Sequence, residues 1–160
     1  MTIRVMLDTS YILPFFGIGI RIDGFEKQMS VLLSSRYEIR ISFASILEAK
    51  GKSLREAARR RMPQLLERFL IGYEALIEEG RIIVEEIDLR KYNQEINEAY
   101  LKGLDDLFDC IVLATALKTS NILVTEDEEI KKVASKLSSK LRVMDWRQFY
   151  TDYLAKLETT

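Results

Sequence analysis

The chain has 160 residues, 48% hydrophobic and 31% charged, with 24 basic against 25 acidic side chains, one cysteine and no histidine. This describes one folded domain over 1–160, large enough to bury a core without disulfides or a structural metal. A lone cysteine makes neither an intrachain bridge nor a zinc cluster and suits a reducing compartment, so the cytoplasm is the expected location. The missing histidine excludes Ser-His-Asp triads, Cys-His pairs, an imidazole base and imidazole metal ligands, leaving carboxylates, lysines, tyrosines and hydroxyls for any catalysis. The longest uncharged run, Thr9 to Ile20, contains Pro14 and is shorter than the ~20 apolar residues of a membrane span. No membrane segment is expected, and Asp8 stands where a signal peptide would need its apolar core.

Ile3 to Leu7 is an apolar run that breaks at Asp8-Thr9-Ser10, which reads as a buried strand entering a loop or helix. A helix is predicted from about Gly24 to Ser35 and a second strand from Glu38 to Phe43. Ser45-Ile46-Leu47-Glu48 fits a capping box opening a short helix that stops near Gly51, and Ser53-Leu54-Arg55-Glu56 fits another. The second opens a helical stretch to about Glu79, interrupted near Pro63, where the ring removes an amide donor. Arg81 to Ile87 reads as a third strand, Leu89 to Tyr100 and Asp105 to Lys118 as helices, and Asn121 to Val124 as a short strand. Helix Glu128 to Leu137, strand Leu141 to Met144 and helix Asp145 to Lys156 complete the chain. Strands separated by helices imply an α/β fold, a parallel sheet of about five strands covered on both faces.

Ligands of such sheets bind beyond the carboxyl ends of the strands, where the strand order reverses. Two strands end there in polar groups: Asp8 after Val5-Met6-Leu7, and Thr125 and Asp127 after Ile122-Leu123-Val124. A right-handed wind tends to place the first strand at the sheet centre, which would make these ends neighbours. Each group also reads as a helix cap. Asp105, Asp106 and Asp109 are spaced to share one helix face, and Asp109 opens the nearly all-apolar run Cys110 to Leu117. Asp105 and Asp106 suit a helix N-terminus. Asp109 lies deeper, and burying an unpaired carboxylate is costly enough to call for a cation. With no lysine or arginine between Leu104 and Leu117, a metal is one candidate and a distant basic residue another. Lys50, Lys52, Arg55, Arg59, Arg60 and Arg61 form a basic stretch with Glu56 as local counter-charge, read either as a solvated helix face or as a phosphate-binding surface.

Leu7-Asp8-Thr9-Ser10, Ile41 to Glu48, Asp109 to Ala116 and Leu123-Val124-Thr125-Glu126-Asp127, in that order and spacing, resemble a PIN domain of the VapC-like ribonuclease type. The resemblance implies a three-layer α/β/α fold and an acidic quartet of Asp8, Glu48, Asp109 and Asp127 with Thr125 beside it. It implies hydrolysis of phosphodiesters in single-stranded RNA with Mg²⁺ or Mn²⁺. A toxin paired with an antitoxin protein, or an RNA-processing nuclease, would fit, and a homodimer is expected. Oxygen-only ligands suit these hard cations. The helical, basic segment at about 51–80 is long beside the compact toxin members, and Asp105 and Asp106 add acids that the quartet does not need. Glu48 could instead serve only as the third position of the Ser45 box. Under the resemblance, the basic stretch would hold flanking phosphates, while Tyr11, Phe15 and Phe16 are either base-stacking or core residues.

Other acid-bearing α/β classes fit less well. A phosphoacceptor receiver needs an acidic pair after the first strand, where Asp8 stands alone. An aspartyl-nucleophile phosphatase needs a second aspartate at position 10, where the chain has Ser10. The remaining alternative is a non-catalytic PIN-fold RNA-binding or assembly module.

Overall fold

The computed structural model of the chain describes residues 1–78 and 80–158. Five parallel strands, β1 (Arg4–Leu7), β2 (Glu38–Ser42), β3 (Ile82–Glu85), β4 (Ile122–Val124) and β5 (Arg142–Met144), form one sheet in the order β3-β2-β1-β4-β5. The first strand is central, and the order reverses between β1 and β4. The helices are α1 (Phe25–Ser34), α2 (Phe43–Arg60), α3 (Gln64–Glu78), α4 (Leu89–Leu101), α5 (Leu107–Thr119) and α6 (Glu128–Leu137). A C-terminal run follows as α7 (Trp146–Phe149), a π-helical turn (Tyr150–Leu154) and α8 (Ala155–Glu158).

Strand alternation sorts the core into two layers. Val5 and Leu7 of β1, Ile39 and Ile41 of β2, and Ile122 and Val124 of β4 pack with α1, α3 and the C-terminal run. Met6 and Leu123 face the other way and meet α4, α5 and α6. Helix α5 is buried almost all round from Cys110 to Ala116, which explains its continuous apolar sequence. This is the expected three-layer α/β/α arrangement. Among the described residues, no helix is long and apolar enough to cross a membrane.

Several sequence expectations need correction. The helix after β2 is capped by Ser42, whose hydroxyl accepts from the Ala44 amide at 3.2 Å, not by Ser45, which is fully buried in the first turn. It does not stop at Gly51 or restart at Ser53. It runs unbroken to Arg60, and the Ser53 hydroxyl donates across to the Leu65 carbonyl at 3.3 Å. A mid-helix glycine costs about 1 kcal/mol, and packing of α2 on α3 outweighs it. The break at Pro63 is present, with Arg61 left-handed at φ 53°, and the expected helix end at Glu79 lies outside the described residues. Helix α5 starts at Leu107 because Asp106 caps it, and Asp127, rather than Thr125, caps α6. The turn after β1 is a pair of 3₁₀ turns, Thr9–Tyr11 and Leu13–Phe16.

Helix α3 crosses the second 3₁₀ turn at very close range. A Cβ on Gly72 would stand 2.1 Å from the Phe15 carbonyl oxygen, and both partners are backbone, so neither yields cheaply. Gly72→Ala is therefore expected to destabilise the protein by about 3 kcal/mol, read as a lower denaturant midpoint with an unchanged slope.

Candidate active site

The carboxyl ends of β1 and β4 are adjacent, in the register Leu7 to Val124, so the residues that follow them meet. Asp8 is buried, and its two oxygens are held in fixed directions. Oδ1 accepts from the Thr9 amide at 2.7 Å and Oδ2 from the Thr125 hydroxyl at 2.6 Å. The same Thr125 oxygen accepts from the Asp127 amide at 3.0 Å, which ties the β4–α6 turn to β1. Burial raises the Asp8 pKa, the Thr125 and Thr9 hydrogen bonds lower it, and the charges of Glu48 and Asp127 raise it again.

Glu48 lies in the second turn of α2. Its Oε2 accepts from the Thr9 hydroxyl and its Oε1 pairs with Lys52 at 2.9 Å. Asp127 spends Oδ1 on the Glu129 and Ile130 amides, at 2.7 and 3.1 Å, as the cap of α6. Asp109 differs from the other three. It occupies the first turn of α5, and among the described residues its carboxylate has neither a hydrogen bond nor an ion pair. Partial burial is the largest cause that pushes its pKa up to about 7, followed by the charges of Asp8, Asp106, Asp127 and Glu48. The site thus holds four like-charged oxygen donors, one of them unpartnered.

That donor set suits a hard divalent cation, because oxygen ligands of one charge sign are what such ions take. Among the described residues, no three His, Cys, Asp or Glu side chains stand ready to enclose a metal. Mg²⁺ asks for less, since one or two carboxylates and several waters hold it. Asp8 and Asp109, close enough for the charge of one to raise the pKa of the other, would be the carboxylates to hold it.

A family model described as PIN domain matches residues 5–136. The chain belongs to the PIN-domain family. Solved structures extend the likeness in three dimensions. PAE2754 from Pyrobaculum aerophilum shares 16% identity, covering 99% of this chain and 91% of its own, at a TM-score of 0.61. DNA-bound VapBC from Salmonella typhimurium shares 18%, covering 91% and 99%, at 0.58. FitAcB from Neisseria gonorrhoeae shares 17%, covering 88% and 96%, at 0.54. At these identities the likeness shows the fold. A comparison with curated proteins finds no match.

In this PIN domain the remaining sequence candidates separate clearly. Asp106 caps α5 through the Phe108 and Asp109 amides, and Asp105 is exposed. Of the basic stretch, only Lys52 touches the acidic residues. Lys50 lies over the Phe69 ring at 4.7 Å, Arg59 and Arg60 pair with Glu56 at 2.7 and 2.9 Å, and Arg55 and Arg61 are exposed. Arg59 is eleven residues beyond Glu48, about 16 Å along the helix. Tyr11 and Phe16 are fully buried and Phe15 partly so, which leaves no open stacking platform on Tyr11 or Phe16.

Two contacts have no counterpart in the sequence reading. The Tyr11 hydroxyl donates to Glu126 Oε1 at 2.8 Å, and the Trp146 amide donates to the same oxygen at 3.1 Å. Burial, then the Glu126 contact, lifts the Tyr11 pKa far above the usual tyrosine range, so the hydroxyl stays a donor. Nothing local marks a contact 115 residues apart. The Glu48–Lys52 pair was readable, being an i,i+4 acid-then-base spacing.

Proposed function

We propose that this PIN domain, taken as a single domain over 1–160, is a Mg²⁺- or Mn²⁺-dependent endoribonuclease that hydrolyses single-stranded RNA. The observation that carries the reading is Asp109, a partly buried carboxylate held among four other acids without a cation. Asp8 and Asp109 would hold the metal, with Glu48 and Asp127 as outer members of the quartet. A divalent cation bound there makes its water more acidic and neutralises charge on a phosphoryl oxygen. Thr125 and the Thr9 amide fix the direction of the Asp8 oxygens, so that carboxylate needs no reorganisation when substrate arrives. With no histidine in the chain, a carboxylate of the quartet accepts the proton of the attacking water. Lys50 and, within the helical segment at about 51–80, Lys52, Arg55, Arg59, Arg60 and Arg61 supply positive charge along α2 and its C-terminal end for phosphates on either side of the cut.

A protein partner is part of the proposal. Leu54 and Met62 of the α2 side and Leu66, Leu70, Ile71 and Ile77 of α3 are exposed, more apolar surface than a solvated helix pair needs. The likeness to VapBC and FitAcB supports an antitoxin on such a surface, and a homodimer is the other occupant we expect. The near-balanced charge and lone buried Cys110 suit the cytoplasm.

The test is cleavage of labelled single-stranded RNA by the pure protein. Cutting is expected with Mg²⁺ or Mn²⁺ and silence in excess EDTA. Undiminished cutting in EDTA sinks the metal mechanism. RNA binding without cutting under any metal would favour the non-catalytic binding or assembly module.

A further inference from the structure

Lys52 is the only cation among the described residues that pairs with a member of the quartet. The pair is hard to explain as a stabilising device alone, because an i,i+4 pair that keeps partial contact with solvent contributes little to a folded protein. It also carries a cost for a metal site, since a cation on Glu48 weakens the attraction of that carboxylate for a second cation. Both Glu48 oxygens are already engaged, Oε2 accepting from the Thr9 hydroxyl and Oε1 paired with the Lys52 ammonium. The arrangement reads as a carboxylate braced on one side so that it can hold an ammonium on the other.

An ammonium carries three donors, and the bond to Glu48 accounts for one. The Lys52 side chain is 33% exposed, which leaves its remaining donors open to a ligand bound beside Glu48. A phosphodiester arriving at the quartet meets four carboxylates and needs positive charge close to its non-bridging oxygens. The other basic groups of α2 are committed elsewhere or lie farther along the helix: Lys50 on Phe69, Arg59 and Arg60 on Glu56, and the exposed Arg55 seven residues, about 10 Å, beyond Glu48. We propose that Lys52 is a further catalytic residue, contacting a non-bridging oxygen of the scissile phosphate while Glu48 positions it. Glu48 then acts chiefly as the holder of Lys52 and less as a metal ligand. This rests on the nuclease reading above.

The experiment compares wild type, Lys52→Met and Lys52→Arg in three measurements. They are single-turnover cleavage of labelled RNA in Mn²⁺, calorimetric Mn²⁺ affinity without RNA, and melting temperature. Lys52→Met is expected to cut about 100-fold more slowly while binding Mn²⁺ as tightly as wild type or more tightly, because a competing charge has gone. Its melting temperature should stay within a few degrees, and Lys52→Arg should recover at least tenfold of the lost rate. A Lys52→Met rate within threefold of wild type overturns the assignment. So does a rate loss matched by an equal loss of Mn²⁺ affinity, which would make Lys52 a support for the metal site alone. A wild type that binds Mn²⁺ and RNA but cuts nothing removes the nuclease reading, and Lys52's role with it. An active wild type with an equally active Lys52→Met removes only the role of Lys52.

Discussion

Replacing Asp109 with asparagine is expected to abolish RNA cleavage while leaving the metal-free protein as stable as wild type or more so. The Asp109 carboxyl ordinarily titrates near 3.8, and burial and the surrounding acids lift it to about 7 in the folded state. Between these values the folded protein binds a proton that the unfolded chain has released, so stability falls as pH rises from about 4 to 7. Above 7 the penalty is complete. Because the group is partly exposed, solvent screening reduces it to about 1–2 kcal/mol. Asparagine keeps the shape and removes the charge. In EDTA at pH 8 the variant should melt about 2–6 °C above wild type, and its stability should lose most of this pH slope. Excess Mn²⁺ reverses the order, since binding at a hundredfold excess over Kd stabilises the wild type by about 2.7 kcal/mol and the variant much less. A structural aspartate behaves oppositely, losing roughly 3–5 kcal/mol with or without metal when a buried pair is broken. Melts of both proteins in EDTA and in millimolar Mn²⁺ separate the two. A variant melting far below wild type in EDTA, with equal metal shifts, makes Asp109 structural.

Thr125→Val should produce a large loss of a different kind. The valine fits the same volume but removes the hydroxyl that donates to Asp8 Oδ2 and accepts from the Asp127 amide, all in a fully buried position. A buried charged acceptor left without its donor costs about 1–3 kcal/mol or more. That hydrogen bond lowers the pKa of Asp8, so its loss lets burial raise the pKa further. The destabilisation should therefore be greatest at high pH, where Asp8 must ionise with only the Thr9 amide to support it, and shrink as pH falls and the carboxyl takes up its proton. Cleavage should fall about 100-fold or more, because the Asp8 oxygens lose their fixed direction. Thr125→Ser, which keeps the hydroxyl, should retain most of the activity. Denaturant melts from pH 5 to 8 with parallel cleavage assays check both parts, and a pH-independent loss of stability would contradict the account.

The centre of the sheet was legible because β1 and β4 are buried on both faces, and such strands are short continuous apolar runs that stand out between helical patterns. Asp8 and Thr125 stand out for the same reason, as each follows directly on such a run, and Asp127 comes two residues after Thr125. Helix starts were read less well. Ser45 and Ser53 both satisfy the capping pattern, yet one lies in the first turn of α2 and the other bonds to α3, so tertiary packing decides between equal local signals. The basic stretch illustrates a second limit. Its composition fits a solvated face and a phosphate surface alike, whereas in the fold Glu56 engages Arg59 and Arg60, Phe69 underlies Lys50, and only Lys52 pairs with a member of the quartet. The Tyr11–Glu126 bond joins residues 115 apart in the chain, and no local pattern announces it.

In the proposed site, Asp8 and Asp109 share a divalent cation. Crystals soaked in Mn²⁺, with diffraction recorded to exploit its anomalous signal, test this most directly. The account predicts a peak about 2.0–2.2 Å from one oxygen of each carboxylate, with waters filling most remaining positions and no such peak in an Asp109→Asn crystal. Saturating Mn²⁺ with no ion at these two carboxylates, or the same peak in the Asp109→Asn crystal, would contradict it.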